Sequence, residues 1–402
     1  LSNMMARPPS LRMHSPGGPF SVPPLSNGGS RNLEFRRMGG GAPPFSKEGA
    51  GEDFPARARF TTTLTLLTLV ALLGTACTPT PVPVESFQGE TMGTRYTVKV
   101  VGALTPDARE ALGALIDRRL EEVNSKMSTY REDSELSRFN RYDGDDPFPL
   151  SAETLAVMAT AQRLGEVSGG AFDMTVGPLV NAWGFGPEGL PPEPPADEVL
   201  MALRQLVGYQ QVILSADGAR KARPEIQCDL SAVAKGYAVD RVAEALLEQG
   251  QDRFMVEAGG EVRTGGLNPE GEPWRIGIER PQTEGRGLQK ILPLTNKAMA
   301  TSGDYRNFYE MNGRRYSHTI DPRTGRPVEH AGASVSVVSD TCVEADGLAT
   351  TLLVLGPEEG YAFALEQGLA VLFINHAPQG LTERATPAFI ELAAQASQGG
   401  VQ

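Results

Sequence analysis

Residues 228–279, CDLSAVAKGYAVDRVAEALLEQGQDRFMVEAGGEVRTGGLNPEGEPWRIGIE, change their period partway along, and that change decides the class of fold. Over 231–250, Val239, Val242, Ala243, Leu246 and Leu247 recur on one helical face. Runs of strand character follow at 254–257 and 275–279 with no helical signal between them. The same character recurs at 211–214, 315–320, 334–338 and 370–374. Upstream, Tyr96, Val98 and Val100 alternate with Arg95, Thr97 and Lys99, the pattern of a half-buried strand. Pro106 after Thr105 opens a helix carrying Leu112, Leu115, Ile116, Leu120 and Val123 at helical spacing. A second helix is expected from Ser151 to Gly169-Gly170. Strands that follow strands suit an α+β fold with a largely antiparallel sheet better than a doubly wound one. The Pro-rich segment 186–195 is expected to be a surface loop, and no internal repeat is evident.

With 402 residues, 40% of them apolar and 21% charged, the chain has the make-up of a globular protein with a sizeable core. Residues 1–76 carry eight basic against four acidic side chains, so of the total charge of −12 the rest of the chain carries −16. Such a body gains nothing from counterion release, which argues against nucleic acid as a partner. It also repels an anionic dinucleotide unless a cation or oriented N–H groups intervene. Three cysteines are too few for a disulfide scaffold.

Residues 1–56, rich in Pro, Gly, Ser and Arg, are expected to be disordered. At 57–77 a basic flank, Arg57 and Arg59, precedes an uncharged run at 60–76 that closes on Gly74-Thr75-Ala76-Cys77. This is the layout of a secretory signal, and a cysteine after small residues resembles the bacterial lipoprotein signal. The rival is a short uncleaved anchor; either way the body is expected to be exported and held at a membrane, through lipidated Cys77 in the first case. Residues 78–84 are a linker, 85–385 the folded domain and 386–402 a C-terminal tail.

Three segments carry chemistry. In DLSAVAKGYAVD, Ser231 is an expected N-cap and Lys235 stands one turn in, so the helix start concentrates positive charge suited to phosphate. A capped helix with a nearby lysine is the commoner meaning of such a segment. In VEADGLATTLLVLG, Asp346 and Thr350 are four apart and share a helical face, offering hard oxygens to Mg²⁺ or Ca²⁺. An exposed aspartate and a threonine bonded to its own helix would look the same. In SGDYRNFYEMNGRRYSHTIDPRTGRP, a strand would point Tyr316, His318 and Ile320 one way; His318 is a candidate general base or a structural histidine.

Together these segments, with ETMGTRYTVKV, MSTYREDSELSRFN and GAFDMTVGPLVNAWGFGP, resemble the ApbE family in content, order and spacing over residues 85–375. The resemblance implies a fold related to the T-fold and a transfer of FMN from FAD to a threonine of an acceptor flavoprotein subunit. It further implies that Met92, Tyr130, Ala171, Phe172, Asp173, Asp229, Lys235 and Ile320 contact FAD. Mg²⁺ would be held by Asp346, Thr350 and the carbonyl of Ala232, and His318 would assist the acceptor hydroxyl. Two other activities share these residues: hydrolysis of FAD to FMN and AMP, and flavin binding without turnover.

Overall fold

A computed structural model describes residues 82–282, 287–305 and 307–398. The extension at 1–56, the signal segment with Cys77 and most of the linker lie outside these residues. No helix among the described residues is long and apolar enough to cross a membrane.

The fold begins with a hairpin of β1 (Val84–Thr91) and β2 (Thr94–Val101), paired without a slip from Val84↔Val101 to Thr91↔Thr94. Its two-residue turn places Met92 at φ 47° and Gly93 at φ 71°. Two positive φ values match the right-handed twist of the strands, and for methionine that conformation is strained. Next come α1 (Pro106–Met127), capped by the Thr105 hydroxyl, α2 (Glu135–Arg141), capped by Ser134, and α3 (Ala152–Val167), capped by Ser151. Short helices α4 (Gly177–Ala182) and α5 (Asp197–Arg204) and the hairpin β3 (Val212–Ser215) and β4 (Gly218–Lys221) lead to α6 (Ser231–Glu248). After α6 come β5 (Phe254–Ala258), β6 (Glu261–Gly265), β7 (Trp274–Glu279), β8 (Leu288–Leu294) and β9 (Ala298–Gly303). Two small ribbons follow, β10 (Phe308–Met311) with β11 (Arg314–Ser317) and β12 (Ile320–Asp321) with β13 (Arg326–Pro327). The chain closes with β14 (Gly332–Ser339), α7 (Cys342–Glu366), β15 (Ala370–Ala377), β16 (Gly380–Ala385) and α8 (Pro387–Gln398).

Eight strands form one sheet in the order β1-β2-β5-β6-β9-β14-β15-β16, every neighbouring pair antiparallel. The α+β class and the antiparallel sheet expected from the strand-after-strand pattern are therefore present. Alternation gives the sheet two apolar faces. One packs Val98, Val100, Phe254 and Val256 against Ile116, Leu120, Val239, Val242 and Leu352 from α1, α6 and α7. The other packs Val262, Met299, Leu372 and Ile374 against Trp274, Ile276 and Leu292 of the β7–β8 ribbon and Phe389 of α8. A third cluster joins Leu179 and Trp183 to Tyr309, Tyr316 and Ile320.

Three boundaries differ from expectation. The strand expected at 315–320 is broken, because the Ser317 hydroxyl accepts the Thr319 N–H and ends the ladder, leaving His318 between β11 and β12. Ser231 is the first helical residue, not the cap: Leu230 holds the cap position without a side-chain bond, and the Asp229 carboxylate accepts the Ser231 N–H at 2.8 Å. The tail expected at 386–402 is helical through Gln398, because Phe389 is buried and the Thr386 hydroxyl accepts the N–H groups of Val371 and Phe389.

Helix α7 is interrupted at Gly356 (φ 81°), just before Pro357. Proline has no N–H for the carbonyl four residues back, that of Leu353. His330 Nε2 takes its place at 2.6 Å, while His330 Nδ1 accepts the Gly332 N–H.

The packing that positions the site is the crossing of α6 and α7. A Cβ on Gly236 would lie 2.3 Å from the Cys342 carbonyl oxygen and 2.8 Å from Asp346 Cβ. One on Gly347 would lie 2.3 Å from Leu164 Cδ1 and 2.9 Å from Val233 Cγ1. Gly236→Ala should destabilise the protein by about 1–3 kcal/mol, because the nearest obstacle is backbone that cannot swing aside. Urea denaturation checks this; an unchanged midpoint would mean that the two helices can part without loss.

Candidate active site

Three chain segments meet at the start of α6. Asn140, at the end of α2, clamps the backbone of Cys228: Asn140 Nδ2 donates to its carbonyl and Oδ1 accepts its N–H, both at 2.8 Å. Asp229 N–H donates to the Met174 carbonyl at 2.7 Å. With Asp229 so fixed and its carboxylate on the Ser231 N–H, the first turn of α6 has a set direction, and Ala232, Lys235 and Gly236 follow from it.

Lys235 reaches two carboxylates, Glu261 Oε1 of β6 at 2.8 Å and Asp346 Oδ1 of α7 at 3.5 Å. Asp346 Oδ2 accepts the Gly236 N–H at 2.9 Å. In a regular helix that N–H belongs to the Ala232 carbonyl four residues back, so the carboxylate competes for its donor. On α7, one turn beyond Asp346, Thr350 Oγ1 lies 3.1 Å from Ser302 Oγ of β9.

Burial works against every charge in this cluster, and the charges answer one another. Burial alone would lower the Lys235 ammonium, but Asp346 and Glu261 hold it above the usual lysine range. Burial pushes Glu261 and Asp346 above the carboxylate range, with Lys235 opposing in each case. Two carboxylates face one ammonium, and Glu261 Oε2 is buried with no partner. A site short of positive charge and lined by carboxylate, hydroxyl and carbonyl oxygens has the donor chemistry of a hard divalent cation. No three His, Cys, Asp or Glu side chains cluster for a metal among the described residues, so such a cation would draw other ligands from water or substrate.

His318 lies deep in the mass of the protein yet keeps part of its surface open, as in the wall of a cleft. Its N–H and its Nδ1 both meet the Asn307 carbonyl, at 3.1 and 3.0 Å. A carbonyl only accepts, so the neutral ring carries its proton on Nδ1 and its lone pair on Nε2. Burial pushes the imidazole down to about 4, the Asn307 carbonyl opposing and the Lys235 charge adding to the fall. The Phe185 ring stands edge-on to His318 at 6.3 Å, and the Phe185 carbonyl accepts the hydroxyl of Tyr130, an exposed ring, at 2.8 Å.

The structure thus brings Lys235 and Asp346 together, with Thr350 one turn beyond Asp346 on α7 and Ala232 and Asp229 at the head of α6. His318 is near enough to feel the Lys235 charge, and crowding followed by the Asp229 charge holds the Tyr130 phenol above its ordinary range. Met92 sits at the tip of the β1–β2 hairpin; Thr94, two residues on, flanks Gly259 together with Glu261 Oε2. The remaining expected contacts are buried residues. Ala171, Phe172 and Ile320 are buried in the core. The Asp173 carboxylate accepts from Thr175 N, Thr175 Oγ1 and the distant Tyr209 N.

Glu261, Ser302, Asn140 and Gly236 belong to the site and were not singled out from sequence. Gly236 lies in a helix where alanine would suit better, which is a sign of close approach. The others had no local signal, since their partners lie on distant segments.

The fold is an antiparallel α+β body in which a lysine and two buried acids meet near the start of one helix. The ApbE family model matches residues 92–373, and the chain belongs to that family. It is 47% identical over 324 residues to a Vibrio cholerae protein named FAD:protein FMN transferase, covering 81% of this chain and 97% of that one. A relative of the same name from Escherichia coli K12 is 37% identical over 338 residues, covering 80% and 96%. Among solved structures, the flavin transferase ApbE from Vibrio cholerae superposes with a TM-score of 0.72 at 46% identity, covering 77% of this chain and 99% of that one.

Two outcomes are expected. Lys235→Met should lower stability by about 3–5 kcal/mol in the metal-free protein, because it leaves two buried carboxylates unpaired. Chemical denaturation measures it, and a loss under 1 kcal/mol would mean that the acids are protonated or solvated. In an NMR titration of the free protein, His318 should change protonation near pH 4 and stay neutral above it; a midpoint above pH 6 would contradict the buried environment.

Proposed function

We propose that this protein transfers the FMN half of FAD to a threonine hydroxyl of an acceptor flavoprotein, with Mg²⁺ as cofactor and AMP as the other product. One observation carries the reading. A chain 47% identical to a FAD:protein FMN transferase joins Lys235 near the start of α6 to Asp346 of α7, with the Nε2-basic tautomer of His318 within electrostatic reach of Lys235.

In the reaction, the threonine oxygen bonds to the FMN-side phosphorus, the bond from that phosphorus to the bridging oxygen breaks, and AMP departs with that oxygen. The threonine proton passes to His318 Nε2, while the Asn307 carbonyl holds Nδ1–H and keeps the lone pair available. A depressed imidazole is a weak base in the free protein, and bound phosphate raises its proton affinity. Lys235 meets the negative charge of the diphosphate, exchanging part of its pairing with Glu261 and Asp346 for it. Asp346, Thr350 and the Ala232 carbonyl would hold Mg²⁺, which would supply the positive charge that the two buried acids leave wanting. The Tyr130 ring offers a flat surface to the flavin.

The reading includes export and attachment to a membrane through lipidated Cys77. Its support is the basic flank, apolar run and small residues that precede that cysteine.

The test is intact mass of an acceptor domain bearing the target threonine, co-expressed with the full chain. The expected result is covalent FMN on the acceptor and AMP in solution. His318→Ala should slow transfer by about 10² or more while FAD still binds. Free FMN with AMP and an unmodified acceptor would make the protein a hydrolase. Bound FAD with no AMP would make it a carrier.

A further inference from the structure

We propose that Asp240 is the positioning residue of this site: it caps α7 from the neighbouring helix and so fixes where Asp346 and Thr350 stand. Helix α7 lacks a cap of its own, since Thr341 holds the cap position without a side-chain bond. Instead, Asp240 Oδ1 accepts the Cys342 N–H and Oδ2 accepts the Val343 N–H, each at 2.9 Å. Arg263 Nη1 of β6 donates to Oδ1 at 2.7 Å, so the buried carboxylate is charge-matched as well as hydrogen-bonded.

The geometry makes this more than a stabilising cap. Gly236 and Asp240 are one turn apart on α6, and Cys342 and Asp346 are one turn apart on α7. The helices are therefore fastened at two points, Asp240 to the amides of residues 342 and 343, and the Gly236 amide to Asp346 Oδ2. A carboxylate that accepts two successive amides, one on each oxygen, fixes both the rotation of α7 about its axis and its position along that axis. Asp346 inherits that setting one turn later, and Thr350 one turn after that. With Asp240 gone, the first turn of α7 loses both amide partners, and the polar ties left between the two helices, Gly236 N–H and Lys235 to Asp346, are themselves the bonds to be positioned.

This inference rests on the proposed role of Asp346 and Thr350, and its test separates the two. Asp240→Asn, and Asp240→Glu as a charge-preserving variant whose carboxylate stands one methylene further out, are made in the full chain. The first readout is the backbone amide resonance of Gly236, which reports the bond to Asp346 and needs no ligand. The second is Mn²⁺ affinity from water-proton relaxation, with KM for Mg²⁺ against kcat in the transfer assay. The Gly236 resonance should move toward that of a free amide, and the Mn²⁺ dissociation constant should rise about 10-fold or more, the scale of supporting residues around a metal. KM for Mg²⁺ should rise more than kcat falls. Folded variants with an unmoved Gly236 resonance and unchanged Mn²⁺ affinity would overturn the proposal and reduce Asp240 to a stability element. If Asp240→Asn does not fold, Asp240→Glu decides by the same two readings. If the wild-type protein binds no Mn²⁺, the metal assignment fails, and the Gly236 resonance still decides the role of Asp240.

Discussion

Where α6 meets α7 the two backbones lie so near that no Cβ fits between them, and the chemistry of the protein is arranged around that contact. Gly236 leaves room for the Cys342 carbonyl, and the same closeness lets its N–H reach the Asp346 carboxylate. Any side chain at 236 would part the helices and separate Lys235 from Asp346. The antiparallel sheet under these helices provides the stiff floor, and Glu261 rises from it to meet Lys235 from the third side.

The electrostatics follow from this packing. Two carboxylates and one ammonium are held in a place that would expel any of them singly, and Glu261 keeps one oxygen without a partner. Unpaired buried polar atoms are rare in folded proteins and collect where a ligand completes the set. The excess negative charge sits inside a body that already carries −16 beyond residue 76. An anion enters such a place only with compensating positive charge, and the proposed Mg²⁺ would supply it.

Much of this was legible in the sequence, for reasons that differ by residue. Strands following strands gave away the antiparallel sheet because the period of a strand is local. Helical spacing put Asp346 and Thr350 on one face and Lys235 one turn into its helix, but their roles came from the family resemblance, since spacing alone fits an ordinary capped helix equally well. Glu261 could not, since an acid at an inward position of β6 has meaning only beside Lys235. Asp173 shows a partner set that sequence does not carry: its carboxylate accepts the N–H groups of Thr175 and of the distant Tyr209. Ser231 was expected to cap α6 because serine often does; Leu230 holds that position instead, and the Asp229 carboxylate accepts the Ser231 N–H. The tail after 386 turned out to be helix because its anchors, Thr386 and Phe389, lock onto β15 rather than onto neighbours in sequence.

The three backbone-amide hydrogen bonds that fasten α7 to α6 join residues 102, 103 and 110 positions apart. During synthesis α6 leaves the ribosome well before α7 exists, and until then Asp240 has no amides to accept and Lys235 lacks Asp346. Contacts of such separation carry a large loop-closure entropy and form after the local ones. A fragment ending before residue 346 contains most of the sheet and none of the finished site. Completion of the site therefore reports completion of the chain.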